Sequence, residues 1–140
     1  MRRMRRFIPP ALALLAAGAI GAPVAWAGSP HFITVSASRE GNSLTISGKE
    51  AGLGNEEAVK IVVSATAECI NGGGKHPKAE NKGTVSTGEE VPVQNGKANF
   101  SLTVTATFQP SCAPPMTLAF TDVTVTDTTN NISADLTGTF

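Results

Sequence analysis

The chain has 140 residues, with 11 Lys+Arg against 11 Asp+Glu and only two cysteines. Four of the basic residues fall in the first 27, so the other 113 carry 7 basic against 11 acidic groups, a formal charge of −4. That part is large enough for one hydrophobic core, and its acidic balance argues against nucleic acid as a partner, because phosphate binding needs a basic surface.

The first 27 residues read as an address. Arg2, Arg3, Arg5 and Arg6 make a positive start, Ala11 to Ile20 a short apolar run, and Ala25-Trp26-Ala27 a small-x-small cleavage signal. Together they predict a secretory signal peptide cut after Ala27. Arg5-Arg6-Phe7-Ile8 fits a twin-arginine signal only loosely, which favours the general export route. Gly18, Gly21 and Pro23 break the apolar run, and a membrane span needs ~20 apolar residues. The expected domains are therefore 1–27, a signal peptide, and 28–140, one secreted extracellular domain. The only tryptophan, Trp26, leaves with the signal and there is no tyrosine, although five phenylalanines remain. Aromatic platforms of the kind that bind sugars are correspondingly disfavoured.

Alternation of period two then dominates the chain. His31 to Ala37 predicts a strand and Gly41-Asn42-Ser43 a turn. Leu44 to Ser47 is a second strand, with Leu44 and Ile46 inward, and Gly48 to Asn55 reads as a glycine-punctuated loop carrying Leu53. The run from Glu57 to Cys69 puts Val59, Ile61, Val63, Ala65, Ala67 and Cys69 on one face. It is the organising strand of the chain. Asn55-Glu56-Glu57, just before it, could form one short helical turn.

Ile70 to Lys82 holds three glycines, a proline and three lysines, which suits an exposed loop and not a packed strand. Gly83–Thr87 and Glu89–Gln94 read as two short strands, the second an edge piece because Pro92 cannot donate to a ladder. Asn95-Gly96 is the strongest hairpin signal. It leads into a long run from Ala98 to Phe108, with Phe100, Leu102, Val104, Ala106 and Phe108 on one face. Pro110, Pro114 and Pro115 end that run around Cys112. Met116, Leu118 and Phe120 alternate, but Val123 and Val125 fall on the other parity, so a bulge near Thr121-Asp122 is expected. Asp127 to Asn131 turns the chain, and Ile132 to Phe140 makes a last strand.

Seven or eight short strands without a useful helix predict an all-β, antiparallel immunoglobulin-like β-sandwich, with a small β-barrel as the alternative. The run to Cys69 and the run from Ala98 would form the middle of its core, tied together at one end. Two cysteines in an exported chain most simply make one disulfide, Cys69 to Cys112.

Candidate chemistry is sparse. Lys75, His76, Lys78 and Lys82 form a basic patch on an acidic domain, a possible binding loop for an acidic partner. Gly72-Gly73-Gly74-Lys75 lacks P-loop spacing and is followed by His76-Pro77. His31 and His76 are the only histidines and have no metal-pair spacing, so no metal or cofactor is expected. Calcium near Asp122 and Asp127 is conceivable, but Asp and Asn at turns usually satisfy the turn itself. Thr103-Thr105-Thr107, Thr124-Thr126-Thr128 and Thr137-Thr139 suggest a flat threonine array of the water-ordering type, or simply the solvent face of a sheet. No nucleophile elbow or metalloprotease motif is present.

Leu44 to Gly48, Gly52 to Glu56 and Val59 to Val63, in the order strand, glycine loop, strand, resemble the opening half of bacterial immunoglobulin-like modules. The wider layout resembles a group of small exported actinobacterial proteins. In that group a Gly-Leu-Gly-Asn loop precedes a strand ending in Cys-x-Asn and glycines, and a second Cys precedes a Thr-Asp-Val strand. Those positions here are Gly52 to Asn55, Cys69 to Gly73, Cys112 and Thr121 to Val123. The resemblance implies export, a sandwich and a disulfide, and carries no active site. The expected function is a non-enzymatic secreted module that binds an extracellular protein or a cell-wall polymer through Ile70–Lys82 and Gln109–Pro115. One alternative is an inhibitor of an extracellular hydrolase, with Gly72 to Lys78 as the inserted loop. The other is a small hydrolase that uses two carboxylates.

Overall fold

The computed structural model describes residues 29–71 and 81–140. Residues 1–27, the predicted signal peptide, and most of the predicted exposed loop lie outside the described residues. Seven strands follow in chain order: β1 (His31–Glu40), β2 (Ser43–Ala51), β3 (Ala58–Ile70), β4 (Lys82–Pro92), β5 (Ala98–Thr105), β6 (Thr117–Asp127) and β7 (Ile132–Leu136). They form two antiparallel sheets, one ordered β1-β2-β5 and the other β4-β3-β6-β7. This is a two-layer sandwich and not the closed barrel held as the alternative.

The alternation seen in the sequence is the alternation that is buried. Val59, Ile61, Val63, Ala65, Ala67 and Cys69 of β3 face Leu44, Ile46, Phe100, Leu102 and Val104 of the smaller sheet, all at most 5% exposed. Phe120 fills the centre at 0% exposure. The Asn95-Gly96 turn carries positive φ at both residues, 54° and 74°, and closes on the isolated Gln94↔Lys97 bridge. The strands it joins do not pair as the expected hairpin, because β4 belongs to one sheet and β5 to the other. The expected bulge also forms. Pairing between β3 and β6 slips between Ser64↔Thr124 and Thr66↔Thr121, and Asp122 sits at φ 50°. Leu118 and Phe120 on one side of it and Val123 and Val125 on the other all reach the core.

Several boundaries differ from expectation. Lys82 to Pro92 is one strand where two were expected, since β4 pairs without a break from Lys82↔Glu68 to Pro92↔Ala58. Its single free edge does accommodate Pro92, as expected. The run from Ala98 ends at Thr105, not at Phe108, and β5 is an edge strand with one sheet partner, β2, although its inward residues belong to the core. The middle positions of the larger sheet belong to β3 and β6. The last strand ends its regular pairing at Leu136, although Phe140 exchanges two 2.9 Å backbone hydrogen bonds with Phe120. No helical turn forms at Asn55–Glu57; the Glu56 N–H instead closes a turn onto the Leu53 carbonyl at 3.1 Å.

The most consequential difference is at β2. Residues 48–51, expected in a loop, continue the strand, and the loop starts only at Gly52. Gly48 is needed there for close approach. A Cβ on it would collide with the Thr34 carbonyl and lie 2.6 Å from Phe100 Cζ. The space it leaves admits the edge-on Phe32–Phe100 pair, with centroids 5.9 Å apart.

Candidate functional site

The two ends of the sandwich carry different chemistry. At one end, Cys69 closes β3 and is bonded to Cys112 in the β5–β6 crossover, with Cα atoms 5.7 Å apart. Both cysteines are consumed by this bond. Cys69 is buried and its sulfur rests 3.7 Å from that of Met116. The bond ties the larger sheet to the chain that returns from the smaller one. Arg39 of β1 reinforces the same end by donating to the Leu118 carbonyl of β6.

Of the predicted basic patch, Lys75, His76 and Lys78 lie outside the described residues. Lys82 opens β4 beside the disulfide, and its ammonium is 3.2 Å from the Glu68 carboxylate. That exposed pair neutralises the lysine locally while contributing little to stability. Thr103 and Thr105 do not present a free hydroxyl array. They pair with Thr45 and Ser43 at 2.8 and 2.9 Å, and Ser47 with Ser101 at 3.1 Å. These are cross-strand hydroxyl pairs on the outer face of an ordinary sheet.

The opposite end holds a feature that the sequence reading missed. Glu50, the last but one residue of β2, and Asp127, the last of β6, are both 0% exposed. They come from different sheets and meet inside the sandwich. Asp127 is well supplied with donors: the N–H groups of Thr129 and Asn130 bond its Oδ1 at 2.8 and 3.2 Å, and Asn130 Nδ2 bonds its Oδ2 at 2.6 Å. The same Nδ2 reaches Glu56 Oε2 at 3.1 Å. Among the described residues no donor reaches either oxygen of Glu50. Its carboxyl is pushed from an ordinary 4.5 up to about 8, first by burial, then by its contact with Asp127 and the charge there, then by the charge of Glu56.

Two carboxyls in contact and out of water cannot both be ionised. With Asp127 accepting three hydrogen bonds and Glu50 none, the proton belongs on Glu50, whose O–H then donates to Asp127. This turn chemistry also answers the calcium expectation. Asp127 satisfies its own turn, and Asp122 is an exposed bulge residue on a different stretch of β6. Among the described residues no three histidine, cysteine or carboxylate side chains converge as metal ligands. Nor can the pair attack a substrate, because neither carboxyl is reachable from solvent.

The signal for Glu50 was present in the sequence. Leu44, Ile46, Gly48 and Glu50 share one parity, and that parity is the buried one. Gly48 and the charge on Glu50 disguised it as a loop.

Around this end the chain is tightly tied by main-chain bonds. Leu53 N–H bonds the Gly96 carbonyl at 3.0 Å, and Val93 N–H the Glu57 carbonyl at 2.9 Å. The 128–131 turn caps β3: Thr128 N–H donates to the Lys60 carbonyl, and Lys60 N–H to Thr129 Oγ1, both at 2.9 Å. An open groove of about 360 Å³ lies nearby, lined by Lys49, Pro92, Gln94, Asn95, Lys97 and Asn99. Among the described residues no helix is long and apolar enough to cross a membrane. No family model, curated protein or solved structure matches the chain.

Proposed function

We propose that the protein is an exported, non-enzymatic binding module of immunoglobulin-like kind, which engages an extracellular protein or cell-wall polymer through the loops at its disulfide end. The observation that carries this reading is the Cys69–Cys112 bond, which anchors the loop after β3 and the β5–β6 crossover to one rigid base. A pinned base lowers the conformational entropy lost when such loops bind. The grouping of β1, β2 and β5 in one sheet and β3, β6 and β7 in the other supports the immunoglobulin-like assignment, with β4 beside β3 instead of β5. The disulfide suits an oxidising compartment outside the cytoplasm, which agrees with a signal peptide at residues 1–27 removed after Ala27.

The test is retention of the secreted, oxidised chain on isolated cell wall and on immobilised culture-fluid proteins, compared with a Lys75→Ala/His76→Ala/Lys78→Ala variant. Binding by the parent and loss in the variant supports the reading. Equal binding by both moves the contact elsewhere. A captured protease that loses activity would replace this reading with the inhibitor alternative.

A further inference from the structure

The buried Glu50–Asp127 pair sits where three connecting pieces of chain meet: the 52–57 loop, the Asn95-Gly96 turn and the 128–131 turn. We propose that this pair is a proton-closed latch between the two sheets, one that holds the 52–57 loop and the 128–131 turn down when protonated and releases them when the proton leaves.

The geometry assigns each part. Glu50 projects inward from the smaller sheet with no protein donor for either oxygen. Asp127 projects inward from the larger sheet and is the hub of the 128–131 turn through Thr129 and Asn130. Asn130 extends the hub to the 52–57 loop through Glu56. A proton on Glu50 therefore closes a continuous path from β2 to the turn and on to the loop. Removing it to water leaves two adjacent buried anions, with Glu56 as a third nearby.

Among the described residues no cation compensates. The charged groups that bear on Glu50 are Asp127 from β6 and Glu56 from the loop. Lys49, Lys60 and Lys97, on β2, β3 and the β4–β5 turn, make no ion pair with it, the one ion pair of the described residues being Lys82–Glu68 at the far end. Relief must come from water, and water can enter only if the turn or the loop lifts. Apart from the buried side chain of Leu53, those pieces are held by hydrogen bonds, whereas the far end is held by a disulfide. Ionisation therefore opens one end of the sandwich and leaves the rest folded.

The test follows the Glu50 side-chain carboxyl carbon and the backbone amides by NMR from pH 5 to 9.5, on the oxidised secreted chain. The expected result is a Glu50 midpoint near 8, with the amides of Leu53, Glu56, Lys60, Thr129 and Asn130 shifting or broadening at that same midpoint and those of Leu102 and Val104 unmoved. Glu50→Gln, which keeps a donor toward Asp127, abolishes the loop response. Asp127→Asn, which removes the neighbouring charge, lowers the Glu50 midpoint by about a unit or more. Three results overturn the latch: a Glu50 midpoint below 6, a titrating Glu50 whose neighbouring amides stay still, or a loop response that survives in Glu50→Gln. A fourth is a shift of the same amides on adding calcium chloride at pH 7, which would make the pair a cation site.

Discussion

Glu50→Gln separates the electrostatic account of the sandwich from a purely apolar one. In the unfolded chain Glu50 titrates at its ordinary 4.5, and in the folded protein at about 8. Between those two values the folded state holds one proton that the unfolded state has lost. Stability therefore falls as pH rises, by about 1.4 kcal/mol per pH unit for one proton. The contribution is whole below pH 4.5, is lost progressively up to about 8, and does not recover above it. Across the window the loss is on the order of 4 kcal/mol, a large part of the ~5–15 kcal/mol that holds a typical domain together. Glutamine cannot ionise, and its amide reproduces the donor of the protonated acid. The variant should match the parent at pH 4 to 5 and exceed it by a few kcal/mol at pH 8.5 to 9. Urea unfolding followed by circular dichroism at half-unit pH steps measures this directly, because every other carboxylate is common to the two proteins and cancels in the difference. Parallel stability curves for parent and variant across pH 5 to 9 would show that Glu50 titrates normally and that the buried pair is not as described.

Other expectations rest on packing and covalent structure. Phe120→Ala removes a ring at 0% exposure from the centre of the core and should cost about 3–5 kcal/mol, read as a lower urea midpoint with an unchanged slope. Gly48→Ala drives a methyl into the Thr34 carbonyl and Phe100 and should cost about 1–3 kcal/mol; a neutral result would mean that β1 is not held against β2 at that point. Reducing the Cys69–Cys112 bond, which spans 43 positions, should lower stability by about 4 kcal/mol on the chain-entropy model, and intact mass should rise by two hydrogens only after reductant is added. Thr45→Val with Thr103→Val removes a single exposed hydroxyl pair and should change stability by less than about 1 kcal/mol.

Much of the fold was legible because a half-buried strand writes its inward face at every second residue. The inward set of β3, the tight turn at Asn95-Gly96 and the bulge at Asp122 all followed from that rule and from turn chemistry, although the turn passes the chain from one sheet to the other and does not close a hairpin. So did the disulfide, from the presence of two cysteines in a chain whose first residues read as an export signal. The places where the reading failed are places where a local signal was outweighed by a partner distant in sequence. Gly48 looked like a loop residue because nothing local shows that Phe100 occupies the space beside it. The break expected between Thr87 and Glu89 vanished because β3 offers an uninterrupted ladder opposite β4.

The functional candidates divide in the same way. Periodicity in the chain alone determined which residues face inward, since side-chain direction is a property of one strand. It could not determine what those residues meet, because facing partners come from a different sheet and their alignment depends on how two twisted sheets stack. Glu50 and Asp127 are 77 positions apart, and each taken singly is an ordinary carboxylate beside a loop or a turn. Only the stacking of β2 against β6 removes both from water and sets one against the other, and with that contact comes the shared proton.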